Sequence, residues 1–173
     1  MTLRGVVAIA SIVLAGCTTA GTTLCEDLHL AGRLWLAIDS PWLSPPAELG
    51  NPSRSAAAHV VRFSEDGSFA MIACTITEYQ GTLYISQGDG QAVFLGTWRR
   101  DGNGIHAEYR LVSETVRRPS FSYPGPLESH RLRCTSSGPA HEGLLEGERR
   151  FNPTDRLAQS DLDQYVKTEP SSP

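Results

Sequence analysis

Gln91–Ser113 reads QAVFLGTWRRDGNGIHAEYRLVS, and the fold is decided here. Ile105, Ala107, Tyr109 and Leu111 share one face of an extended chain, leaving His106, Glu108 and Arg110 on the other. Successive side chains of a strand point to opposite faces, so this period of two marks a half-buried strand. Ala92, Phe94, Gly96 and Trp98 repeat the alternation just upstream. Asp101-Gly102-Asn103-Gly104 lies between the two runs, and a two-residue hairpin loop needs residues that accept positive φ. The runs therefore pair as an antiparallel hairpin with one common apolar face. One of the two turn registers sets Tyr109 opposite Gly96, where a ring can cover bare backbone.

The same pattern extends both ways. Arg33–Asp39, His59–Ser64, Ser68–Thr77, Gly81–Gln87, Glu128–Thr135 and Gly143–Phe151 are further candidate strands, separated mostly by short turn signals. Read with a tight turn at Asp66-Gly67, Val61 and Phe63 stand beside Ile72, Cys74 and Ile76 on an inward face. The expectation is an all-β domain: a single antiparallel up-and-down meander or barrel of about eight strands, with a short C-terminal helix. Two packed sheets would show nearly the same alternation. Two connections are long, Ser40–Ala58 with Trp42 and Leu43, and Glu114–Leu127 with Phe121 and Tyr123. In a strict eight-strand meander they leave opposite ends. Asp155–Lys167 offers Leu157, Leu162, Tyr165 and Val166 as the apolar side of a helix, followed by a tail expected to be disordered.

At the N-terminus, Arg4 precedes an apolar run from Val6 to Leu14, a secretory pattern too short for a membrane span. The run closes on Leu14-Ala15-Gly16-Cys17, which resembles the lipobox of bacterial lipoproteins. That resemblance implies cleavage before Cys17, lipid on its thiol and acylation of the new amino terminus. It further implies a membrane held through that lipid and a cell-envelope location. In a Gram-negative cell Thr18 favours the outer membrane, facing the periplasm. The chain thus divides into a signal peptide over 1–16, a lipidated cysteine and tether over 17–30, a β-domain over 31–151, and a helix and tail over 152–173. Gly32-Arg33-Leu34-Trp35 resembles the Gly-x-Trp opening of lipocalins with one extra residue, and the second lipocalin motif is missing. The likeness covers the barrel outline and implies no functional residue.

Composition narrows function by exclusion. The formal charge is −4, and the eleven basic residues from Arg99 onward are matched by eleven acidic ones, so no basic field draws nucleic acid. The pairs Arg99-Arg100, Arg117-Arg118 and Arg149-Arg150 read as solvated strand ends before they read as anion contacts. Besides Cys17 there are Cys25, Cys74 and Cys134. A Cys74–Cys134 disulfide is expected from shared inward faces and a shared rim, with pairings of Cys25 as the alternative. The five histidines show no metal-ligand spacing, and no nucleophile elbow or phosphate-cradling loop is present. Glu146 and Glu148 read as solvated charge on one side of a strand. No catalytic residue, metal or cofactor is therefore expected, and the chain reads as a non-enzyme.

The leading expectation is a lipid-anchored protein-interaction or structural module, with Trp42, Phe121 and Tyr123 as contact candidates for an envelope partner. The alternatives are a lipocalin-like carrier holding a small apolar ligand among Phe94, Trp98 and Tyr109, and an enzyme inhibitor.

Overall fold

A computed structural model describes residues 25, 28–45, 52–86, 90–102, 104–115, 123–135 and 142–166. Cys17 with its lipobox, Phe121, and the tail beyond Val166 lie outside the described residues. The elements are β1 (Leu34–Ile38), β2 (Arg54–Phe63), β3 (Ser68–Tyr79), β4 (Thr82–Ile85), β5 (Ala92–Asp101), β6 (Gly104–Glu114), β7 (Glu128–Thr135), β8 (Gly143–Glu146), β9 (Arg149–Thr154) and α1 (Gln159–Val166). Every pairing between these strands is antiparallel, and β1 pairs with both β2 and β9 while β2 pairs with β3, which closes the barrel.

Nine strands fill eight positions. Along one side of β3, β4 covers Ile76–Tyr79 while β5 covers Ser68–Ala73. The two lie end to end and run in the same direction, like one interrupted strand. The candidate strand Gly143–Phe151 is instead a hairpin, β8 and β9, turning at Gly147 (φ 59°) and Glu148. Both changes alter the direction of later strands. With β5 antiparallel to β3, β6 runs parallel to β1, and the two long connections leave the same rim. The expectation of opposite ends is corrected by this change of parity.

The central hairpin forms as its alternation requires, with Gly96 opposite Tyr109 and Trp98 opposite Ala107. The β2–β3 turn differs. Phe63 faces Phe69 and the Ser64 N–H bonds to the Ser68 carbonyl, so the loop has three residues. A one-residue shift exchanges the two faces of a strand. Phe69 and Met71 therefore point inward, and Ile72, Cys74 and Ile76 point outward with Ala58 and Val60.

Two apolar cores result. Inside the barrel, Trp35, Phe63, Ile105, Ala107, Leu132, Leu144 and Phe151 fill the end where β1 begins. Leu28 and Leu30 seal that end, and the Trp35 indole N–H donates to the Leu30 carbonyl at 3.2 Å. Cys25 is bonded to Cys134 across the same end, with Cα atoms 5.5 Å apart. This corrects the expected Cys74–Cys134 bridge: β7 ends on the rim where the chain enters, and Cys74 faces the other way. Outside, α1 and the bend before it cover β3, β4 and β5, burying Leu162 and Leu157 in one cluster with Ile72, Ile76 and Leu83. The expected helix is observed over Gln159–Val166 with Leu162, Tyr165 and Val166 on its packed side, while Leu157 is buried in the bend before it. Arg62 pairs with Asp163, and Arg156 reaches Glu78 at 2.6 Å, pinning the helix to the wall.

Cys74 is a free thiol within that outer core, where burial and, secondarily, the Asp39 charge push its pKa up to about 12. Only the thiolate is a good nucleophile, so folding should protect it. In the chain from Thr18 onward, a thiol reagent at pH 8 is expected to titrate no thiol in the folded protein and one per molecule in denaturant. Rapid native labelling would show that the α1 cover opens readily.

Candidate functional site

Among the described residues, nothing fills the end of the barrel where β1, β6 and β8 finish. It forms an open cup of about 680 Å³ lined by His59, Met71, Phe94, Tyr109, Glu128, His130, Glu146, Gly147, Glu148 and Arg149. Its volume lies within the range of small-molecule pockets, about 300–1,000 Å³. The β8–β9 hairpin is short, and its turn residues Gly147 and Glu148 form part of the rim.

The floor is aromatic. Gly96 sits between Phe69 on β3 and Tyr109 on β6. With no side chain at Gly96, the two rings stack at 5.1 Å and 16°. His130 covers the Tyr109 ring at 4.6 Å and 15°, and Phe94 meets Tyr109 edge-on at 5.8 Å. Offset or edge-on rings are the favoured aromatic geometries.

The wall is a charged network. Glu146 accepts from the Tyr109 hydroxyl at 3.0 Å and from Arg149 Nη1 at 3.3 Å. Its Oε1 also lies 2.8 Å from His130 Nδ1. The other ring nitrogen of His130 lies 3.2 Å from Glu128 Oε2. A carboxylate only accepts and a neutral imidazole carries one N–H, so a neutral His130 can donate to one of these partners at a time. Arg149 Nε donates to Asp39 at 2.9 Å, and Asp39 also pairs with His59. Burial, reinforced by the Glu146 charge and hydrogen bond, pushes the Tyr109 pKa well above the usual phenol value. Tyr109 is thus held as a neutral donor, orienting Glu146.

Of the residues singled out in the sequence, Tyr109 and Phe94 line the cup. Trp98 belongs to the filled half: its ring packs on Phe63 at 5.3 Å and its N–H donates to the Ser64 carbonyl at 2.9 Å. Trp42 lies against the outer core with the Arg54 guanidinium 4.6 Å over its ring. The Tyr123 hydroxyl donates to Glu114. The structure does not bring these loop aromatics together with the cup lining.

Glu146, Arg149 and His130 were not singled out for this role. Reading Glu146 as solvated charge is corrected: its side chain is 15% exposed and holds three partners. The missed signal is Gly147, which in a strand interior marks a turn or bulge. Taken as a turn, it sets Glu146 opposite Arg149 on the inward face. Among the described residues, no group of three His, Cys, Asp or Glu converges as a metal site. Comparison with known protein families, curated proteins and solved structures finds no match to this chain.

Proposed function

We propose that this protein is a lipid-anchored component of the cell envelope that binds a small molecule in the open end of its barrel. The observation that carries the binding reading is the unequal filling of one barrel: apolar and sealed at one end, hollow and polar at the other. A structural module gains nothing from leaving hydrogen-bonding groups around an open cavity. Trp42 and Tyr123, the loop aromatics that suggested a partner-binding surface, are engaged by Arg54 and Glu114 of their own barrel. The Leu14-Ala15-Gly16-Cys17 sequence supports the anchor. The lining also changes the expected cargo. Three glutamates and two histidines suit a ligand with polar groups better than a purely apolar one.

Native mass spectrometry tests this on the chain from Thr18 onward, made in an oxidising periplasm and incubated with envelope extract. A reproducible one-to-one adduct, released on denaturation, is expected. A bare monomer mass after incubation would overturn the binding reading.

A further inference from the structure

We propose that the cup selects small organic cations, holding an ammonium group among Glu128, Glu146 and Glu148 with its hydrocarbon body over Phe94 and Met71. This rests on the reading of the cup as a binding site. Among the described residues, three of the lining are carboxylates, and Arg149 is the single lysine or arginine. Arg149 is already committed, at 2.9 Å to Asp39 and 3.3 Å to Glu146. Among the described residues, an anion entering the cup would therefore meet carboxylates with no uncommitted guanidinium in the lining to receive it.

A cation meets the opposite situation. Carboxylates offer only acceptor sites, and each oxygen can accept more than one hydrogen bond. The Glu128 side chain is 53% exposed and Glu148, also in the lining, is exposed, so both are within reach of an entering ligand. Concave walls of low dielectric concentrate the field of charges of one sign, which raises the local concentration of counter-ions. Phe94 supplies an aromatic surface suited to a cation or to its hydrocarbon part. The carboxylates do not converge as a metal site among the described residues, and the apolar floor has no use for a bare ion. Charge and floor together specify an amine with a hydrocarbon body.

The test is calorimetric titration of the full chain with 2-phenylethylamine, 2-phenylethanol and phenylacetate, which share a ring and differ in charge. The amine is expected to bind one-to-one, about tenfold or more tighter than either analogue, with the preference shrinking as salt is raised. Glu128→Gln with Glu148→Gln is expected to abolish the preference without moving the melting temperature, since both positions are exposed. Equal or tighter binding of the alcohol or the acid would overturn the cation inference and leave the cup standing as a binding site. A preference unchanged in the double variant would also overturn it, by placing the selectivity elsewhere. Binding of none of the three overturns it too; the wider binding reading falls with it only when the extract experiment returns bare protein.

Discussion

Replacing Cys25 and Cys134 by serine is expected to lower the unfolding free energy by about 4–5 kcal/mol. The two cysteines are 109 residues apart in sequence, so the bond closes most of the chain into one loop. In the chain-entropy picture, a cross-link stabilises by restricting the unfolded ensemble, and the effect grows with loop length. The bond also holds Leu28 and Leu30 in the barrel end, where each is almost fully buried. Denaturant titration of the oxidised protein, the reduced protein and the double variant measures the effect. The reduced protein and the variant should agree. A loss below about 1 kcal/mol would mean that apolar burial alone seals the end, with native strain or residual denatured structure cancelling the cross-link. Since the bond lies at the end opposite the cup, ligand binding by whatever fraction remains folded should be unaffected.

Gly96→Ala is expected to cost about 3 kcal/mol, at the upper end of the range for overpacking a core. A Cβ at this position would stand 1.9 Å from the Glu108 carbonyl oxygen and 2.6 Å from the Tyr109 Cα. Those are backbone atoms of the paired strand, so no rotamer change relieves the clash. Relief requires β5 and β6 to separate, and the ladder between them spans Ala92–Asp101. The same movement would disturb the stack of Phe69 beneath Tyr109, whose ring lines the cup. Thermal unfolding and near-ultraviolet circular dichroism should therefore change together. Wild-type stability in the variant would show that the barrel wall is far softer at Gly96 than the strand pairing implies.

The hairpin that contains Gly96 was legible because local chemistry and periodicity agree there. The alternation through Tyr109 and the turn at Gly102 point to one register family, and tertiary packing had nothing to overrule. The errors arose where a single residue changes parity. One extra residue in the turn after Ser64 exchanges the faces of β3, which placed Cys74 inside when it lies outside. Counting β4 and β5 as two barrel positions reversed β7, which moved Cys134 to the wrong rim and separated the long loops. Alternation reports which residues share a face, but the direction of a distant strand depends on every turn before it. The cup was hidden for a related reason. Glu128, His130, Glu146 and Arg149 belong to three strands, β7, β8 and β9, and the pairing of β8 with both neighbours brings them together. Apart from the turn signal at Gly147, nothing in their local spacing distinguishes them from solvated charge.

The disulfide at the sealed end also sets an orientation. Cys25 is fixed to the barrel wall, and eight peptide steps separate it from Cys17. Fully extended, such a leash reaches about 27 Å, at roughly 3.4 Å for each residue. A lipid on Cys17 would tie the barrel by its plugged base, close to the bilayer surface, with the cup at the end remote from the leash. Cargo would then be exchanged from the aqueous side, without passing through the membrane that holds the carrier.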